Sequence, residues 1–323
     1  MPTIALLLCP DTLCSSLSMA MDAFTLANRL GGRRVFEVLR VSQDGRPLQL
    51  GFAHIQVDGD LRLAERADLL LLPATGSDLD ATQTRNAALL PWLAQRPARQ
   101  ALGSLCSAAF LLGAAGVLDG RRATTHWALA DAFRQRIPRA HLQIDALYCE
   151  DGPIFTSGGA HAGMDLCLHL IARFASEELA DRVAATLVLD RERGSQTRFA
   201  PLLPAHPEPA PGMAAVLSWL QQHLHQPLDL KRLAQQAHCS PRTLLRRFRE
   251  TTGMPPNTYL HHARIERARQ ALRDPSRSLG QIAEQLGYAD RATFAKRFKQ
   301  VCGETPGAFR RRLRSRVAPR PHT

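Results

Sequence analysis

Over the first 190 residues, short apolar runs alternate with stretches whose apolar positions recur at helical spacing. The runs at 3–9, 36–42, 67–73 and 100–105 predict buried strands, and 16–30, 83–95 and 107–115 predict the helices between them. Two further helices are predicted over 161–174 and 177–191. Strand and helix in this rhythm imply a mostly parallel sheet covered on both faces. The texture changes at 199–212, where prolines 201, 204, 207, 209 and 211 exclude regular structure and predict a semi-rigid linker. Helical spacing returns over 213–225.

Beyond the linker one pattern is written twice. Ser240 and Asp290, Thr243 and Thr293, Leu244 and Phe294, and Phe248 and Phe298 correspond at fifty residues' distance, as do Gly253 and Gly303, and Pro256 and Pro306. Each copy reads as an apolar-periodic helix, a short turn, an N-cap residue and a second amphipathic helix, which is a helix-turn-helix. Leu244, Leu245 and Phe248 define the buried side of the first copy's second helix. Thr243 and Arg246 then face away, with Arg242 on their flank and Arg247 beside them. Ser240 supplies a capping hydroxyl, and Pro241 occupies the first helical position, where its missing N–H costs nothing. Arg242 and Arg246, four apart, are placed to reach guanine edges in a major groove.

In the second copy Asp290 caps and Phe294 and Phe298 face the core. Thr293 and Lys296 point outward with Arg291 and Arg297 nearby, while Ala292 stands where Arg242 would be. The first copy is therefore expected to discriminate sequence and the second to grip phosphate. Arg310, Arg311, Arg312, Arg314 and Arg316 extend the cationic surface toward the DNA backbone.

Charge supports the division. Residues 1–205 carry 20 arginines and 21 acidic residues, a net of −1; residues 206–323 carry 21 basic and 8 acidic residues, a net of +13. Only the second part is suited to a polyanion. The seven scattered cysteines form no CxxC pair and no Cys/His zinc spacing, so neither a disulfide framework nor a metal site is expected; nor is a cofactor. The apolar start lacks a basic leader and breaks at Pro10-Asp11. No run approaches the roughly 20 residues needed to span a bilayer. A cytoplasmic, nucleoid-associated protein with no membrane partner is expected.

Residues 213–312 resemble the DNA-binding domain of the AraC/XylS family of transcription regulators. The resemblance rests on Ile282, Gly287-Tyr288, Phe294, Phe298-Lys299, Gly303, Thr305-Pro306 and Phe309-Arg310. It implies an all-α domain of two helix-turn-helix units joined by a long helix, here about 256–273. It also implies double-stranded DNA as partner, contacted in successive major grooves.

In the first part, Ala101-Leu-Gly-Ser-Leu-Cys106-Ser reads as a strand entering a helix through a single cysteine. A sharp turn there would expose the sulfur, and the helix N-terminus would favour thiolate. His126, with Trp127, follows twenty residues on. Cys106, Leu111, the stretch Ala115-Gly116-Val117-Leu118-Asp119-Gly120, Ala123-Thr124-Thr125-His126-Trp127 and Ser157-Gly158-Gly159 resemble the PfpI/ThiJ-type, class I glutamine-amidotransferase-like domain. More narrowly, they resemble the version fused to AraC-type domains in GlxA-like regulators. The resemblance implies a flavodoxin-like α/β domain, Cys106 at a nucleophile elbow, and N–H groups near Gly76 and Ser107 shaping an anion pocket.

Enzymes of that superfamily place a glutamate on the first helix, whereas 14–22 here offers only Asp22, too late, with Asp11 ahead of the helix. Cys106 and His126 are then vestigial catalytic groups, and no enzymatic activity is expected. The pocket of Gly76, Cys106, Ser107, His126 and Trp127 is expected to hold a small effector of amino acid or amine type. His126 would donate to a carboxylate and Trp127 would face a cation. Residues 1–198 are expected to sense and to form a homodimer, 199–212 to link, and 213–323 to bind DNA. RNA polymerase would be a further partner of an activator. A Cys106-dependent hydrolase or amidase with a DNA-binding tail is the rival reading.

Overall fold

Side chains alternate across a strand, so a strand apolar at every position must be covered twice. Strand β1 (Thr3–Leu8) shows this: Ile4, Leu6 and Leu8 join one buried cluster, and Ala5 and Leu7 join another on the opposite face. The computed structural model describes residues 1–97, 99–159, 161–191, 195–196, 203 and 212–315. The chain divides into two units, Met1–Thr197 and Arg198–Thr323. The predicted linker at 199–212 lies outside the described residues except for Leu203 and Gly212, as do Arg316 and the side chain of Arg314.

In the first unit α1 (Cys14–Leu30) follows β1, and β2 (Glu37–Ser42) returns beside it. A hairpin of β3 (Leu48–Leu50) and β4 (Ala53–Ile55) and a short α2 (Leu61–Ala64) lead to β5 (Leu69–Leu72). Next come α3 (Leu79–Arg85), α4 (Leu90–Ala94), β6 (Ala101–Ser104) and α5 (Ala109–Ala114). The small strands β7 (Arg122–Ala123) and β8 (His141–Leu142) flank α6 (Ala130–Arg136). The hairpin β9 (Tyr148–Asp151) and β10 (Ile154–Ser157) precedes α7 (Ala162–Phe174) and α8 (Glu177–Thr186). The main sheet runs β2-β1-β5-β6-β10-β9, parallel except for the last pair. Without the edge hairpin strand β9, its order is the 2-1-3-4-5 of flavodoxin-like folds, which bind ligands beyond the carboxyl ends of their strands. Helices α1, α7 and α8 cover one face through Phe24, Leu166 and Val183, and α4, α5 and α6 the other through Leu93, Leu112 and Phe133.

Two predicted helices change shape. The stretch at 83–95 is not one helix: α3 stops at Asn86, a single 3-10 turn spans Ala87–Leu89, and α4 restarts with Pro91 in its first turn. The Asn86 side chain holds the break, donating to the Thr82 carbonyl at 2.8 Å and to Asp11 at 3.2 Å. The helix predicted to end at 191 ends at Thr186, because Val188 takes φ 55° and the Leu189 N–H closes onto the Ala184 carbonyl.

The second unit is helical among its described residues. α9 (Met213–Gln222), α10 (Leu230–Gln236) and α11 (Pro241–Thr252) pack with the start of α12 (Pro256–Ala271) around Val216, Leu233, Leu244, Phe248 and Tyr259. The end of α12 packs with α13 (Leu279–Gln285), α14 (Arg291–Cys302) and α15 (Pro306–Ser315) around Ile265, Ile282, Phe294, Phe298 and Phe309. One helix thus serves two cores.

Candidate nucleic-acid interface and the cleft at Cys106

The two helix-turn-helix copies share their local chemistry. Ser240 Oγ accepts the Thr243 N–H at 3.2 Å, and Asp290 Oδ1 accepts the Thr293 N–H at 2.7 Å, so each second helix starts on a side-chain cap. Each threonine hydroxyl also meets its cap, at 3.0 Å in the first copy and 2.9 Å in the second. Thr243 and Thr293, expected to point outward, have their hydroxyls engaged by their caps. The Thr293 amide and hydroxyl hold the Asp290 carboxyl below its ordinary range. The turn before each cap uses one left-handed residue, His238 at φ 48° in the first copy and Gly287 at φ 73° in the second. Ala289 is the second copy's one extra residue.

Exposure separates the faces. On α11, Leu244 and Phe248 are buried, and Arg242, Arg246 and Arg247 are exposed. Leu245, expected in the core, is 40% exposed. Leu244 and Phe248 stack four apart, whereas Leu245 is turned 100° from Leu244, out of the stripe facing α10. Arg246 pairs with Glu250 on its own helix at 2.8 Å, both side chains more than half exposed. A surface pair of this kind contributes about 0.3–0.5 kcal/mol, too little to withhold the guanidinium from a phosphate or base. On α14, Phe294 and Phe298 are buried, and Arg291, Thr293, Lys296 and Arg297 are exposed, with Arg297 reaching Gln300 at 3.2 Å. Arg311 is exposed; Arg312 bonds Glu304 at 2.6 Å and lies over the Phe309 ring.

A residue that periodicity could not single out joins the two copies. Arg264, in the middle of α12 and 7% exposed, donates to the Leu224 carbonyl at 2.6 Å and the Gln226 carbonyl at 2.9 Å. Its guanidinium also stands 5.6 Å from the Tyr288 ring centroid. The same loop abuts Gly287, where any Cβ would collide with the His225 carbonyl. A loop preceding the first copy is therefore clamped to the turn of the second.

In the first unit β6 ends at Ser104, and after Leu105 Cys106 takes φ 54°, the strained left-handed geometry of an elbow. Neighbours hold it there: Cys106 N–H donates to Ser157 Oγ at 3.3 Å, and Thr125 Oγ1 donates to the Cys106 carbonyl at 3.0 Å. The reactive thiolate expected at this turn is not favoured. Burial pushes the Cys106 thiol up and outweighs the Ser107 amide and hydroxyl, which act the other way. The Ser107 hydroxyl donates to the Thr75 carbonyl, and the Gly76 N–H donates to the Asp11 carbonyl at 3.2 Å, so that amide is turned away from an anion. Asp11 itself pairs with Arg85, and Asp22 is exposed on α1.

His126 lies beside Gly159, its Cδ2 2.7 Å from where a Cβ on that glycine would lie. Its Nδ1 accepts the Ala128 N–H at 3.1 Å, which leaves the proton on Nε2, and burial pushes its pKa down, so the ring is a neutral donor. Trp127 is half-buried, 5.0 Å from His126 between ring centroids. Sequence reasoning missed Gln196: it is 3% exposed, and its carboxamide fills the space that Gly158 leaves open.

A family model described as Helix-turn-helix domain matches residues 233–312, and one described as DJ-1/PfpI family matches residues 13–173. The HTH-type transcriptional regulator GlxA of Rhizobium meliloti is 30% identical over 324 residues, covering 96% of this chain and 95% of that protein. The HTH-type transcriptional regulator GbdR of Pseudomonas aeruginosa is 28% identical over 306 residues, covering 94% of this chain and 83% of its own. A THiJ/PfpI family protein from Pseudomonas syringae, solved as a crystal structure, aligns with a TM-score of 0.51 at 21% identity. It covers 73% of this chain and 88% of that one, a likeness of fold alone. With an elbow domain followed by a doubled helix-turn-helix, and relatives matched over nearly their whole length, the chain belongs to the HTH-type transcriptional regulators that join a DJ-1/PfpI domain to an AraC-type DNA-binding domain.

Proposed function

We propose that this DNA-binding regulator responds to a small metabolite. Residues 1–198 sense it and pair two copies of the chain, 199–212 link, and 213–323 hold operator DNA. The observation that carries the reading is the repeated cap-and-core scaffold, which leaves Arg242, Arg246 and Arg247 on α11 and Arg291, Lys296 and Arg297 on α14 exposed. Arg242 and Arg246 read base edges, Leu245 meets a thymine methyl, and Lys296, Arg297 and Arg311 hold phosphates. The caps at Ser240 and Asp290 and the threonines after them set the approach. The effector, an amino acid or amine, lies against Cys106, Ser107, His126 and Trp127, with the neutral His126 Nε2–H directed to its oxygen. It biases how two sensing domains pair, and so whether both DNA-binding domains engage one operator. An activator would in addition contact RNA polymerase. The site of action is the cytoplasm; no helix among the described residues is long and apolar enough to cross a membrane.

The test uses the full chain. Melting temperature is recorded against amino acids, polyamines and betaines, and each compound is then recovered and weighed by mass spectrometry. A stabilising compound returned unchanged supports a sensor; consumption, or an adduct on Cys106, supports a hydrolase instead. Cys106→Ala separates the two further. A sensor keeps its transcriptional response, whereas an enzyme loses the response but keeps its ligand.

A further inference from the structure

The Gln196 carboxamide is held by an arrangement larger than it can use. Its Nε2 lies 3.2 Å from Thr124 Oγ1, 2.9 Å from the Thr125 carbonyl, 2.9 Å from the Ile144 carbonyl and 3.1 Å from the Ala146 carbonyl. Its Oε1 accepts the Gly159 N–H at 3.2 Å. The amide orientation follows, because a flipped amide would press its oxygen against three carbonyl oxygens. An amide nitrogen has two hydrogens for these four acceptors. None of these five groups is charged, and four of them offer lone pairs inward.

Three hydrogens and a full positive charge fit such a cage better than two hydrogens and a dipole, since charge-assisted hydrogen bonds are about twice as strong as neutral ones. The Gly159 amide, next to the cage, supplies one donor for an oxygen carried beside that nitrogen. We propose that this space is a subsite for a primary ammonium head group, and that Gln196 is its built-in occupant, displaced when an effector binds. A quaternary ammonium has no N–H to give and is excluded.

Two placements make displacement consequential. The Thr125 carbonyl belongs to the cage while the Thr125 hydroxyl bonds the Cys106 carbonyl at 3.0 Å, so cage and elbow share a wall. Gln196 is also one residue from the end of the first unit, and its own N–H is tied to the Asp145 carbonyl at 3.1 Å. An effector that expels Gln196 loosens the chain where it leaves the sensing unit. This inference rests on the sensing role proposed above.

The test is rescue of an excised side chain in the full-length protein. In Gln196→Ala, propanamide and n-propylammonium should raise the melting temperature by several degrees at concentrations that leave the wild type unmoved; tetramethylammonium should move neither. Equal stabilisation by tetramethylammonium, or no difference between variant and wild type, overturns the proposal. If the variant does not fold, the wild type labelled with 15N at glutamine side chains gives a second reading. Gln100 is also buried, its Nε2 bonded to the Ala64 and Ala67 carbonyls, and serves as an internal control. Saturating n-propylammonium should speed hydrogen exchange of the Gln196 amide and leave Gln100 protected. A metabolite that stabilises the protein while Gln196 stays protected overturns this inference and leaves the sensing role standing.

Discussion

The two helix-turn-helix copies have the same skeleton and different faces. Both cap the second helix with a side-chain oxygen, bury an aromatic ring four residues after the first core residue, and end on a left-handed glycine, Gly253 or Gly303. Outward, α11 shows Arg242, Leu245 and Arg246, where α14 shows Ala292, Ala295 and Lys296. Residues that build the unit recur because the packing problem recurs; residues that meet the partner do not. On the proposed reading, this difference makes α11 the reader and α14 the holder.

The largest effect that could break this comparison is in the cores. Phe298 packs edge-on against Phe294 and Phe309, at 5.8 and 5.5 Å between ring centroids. Phe298→Ala should cost about 3–5 kcal/mol. Hydrogen exchange should show α14 losing protection before α11, because Phe248 and Tyr259 belong to a separate cluster. Equal loss in both helices would make the copies one cooperative unit.

Arg264 is the joint between them. Its replacement by Ala leaves the Leu224 and Gln226 carbonyls without their donor and should cost about 1–3 kcal/mol in urea unfolding. DNA affinity should fall most for operators that engage both copies; an unchanged affinity for such operators would remove the clamp from the account.

At the DNA itself, Arg242→Ala should relax base preference at one position by about 1–3 kcal/mol. Arg311→Ala should weaken all sequences alike and reduce the salt slope by about 1. Quantitative binding across single-base operator variants at several salt concentrations reads both. A base-specific loss at Arg311, or a uniform one at Arg242, would reverse the roles.

The smallest expected effect is a pH asymmetry. The Asp290 carboxyl sits below its ordinary value of 3.8 because the Thr293 amide and hydroxyl bond its charged form. A group with a depressed folded pKa contributes stability above its unfolded value and loses it as pH falls through the folded one. The α14 cap should therefore weaken only below about pH 4. The α11 cap, a serine hydroxyl, should not respond. Hydrogen exchange of the first turns between pH 5 and pH 3 should show this, and Asp290→Ser should abolish it.

Much of this was legible in the chain because it rests on local rules. The sheet strands without a polar stripe, the caps at Ser240 and Asp290, and the buried Leu244, Phe248, Phe294 and Phe298 follow from periodicity and capping chemistry alone. The break at Asn86 depends on Asp11, which is distant in sequence, and the end of α8 at Thr186, with left-handed Val188 beyond it, carries no glycine or proline to announce it. Leu245 reads as inward because apolar residues usually are, yet a helix packed along one stripe has no place for it. A helix N-terminus favours thiolate at Cys106, whereas burial pushes the thiol up, a balance that only the packed surroundings of the sulfur decide. Arg264 and Gln196 left no pattern at all, since a buried polar residue is recognised by its partners, and the hydrogen-bond partners here lie 37 to 72 residues away.

The most direct test of the central claim is binding-site selection with the full-length protein, compared with Arg242→Ala and Lys296→Ala. The account predicts an asymmetric motif spanning two successive major grooves. Arg242→Ala should blur bases in one half only, and Lys296→Ala should lower affinity without changing the motif. A motif that loses the same positions in both variants, or no sequence preference in the wild type, would contradict a reader and a holder built on one repeated scaffold.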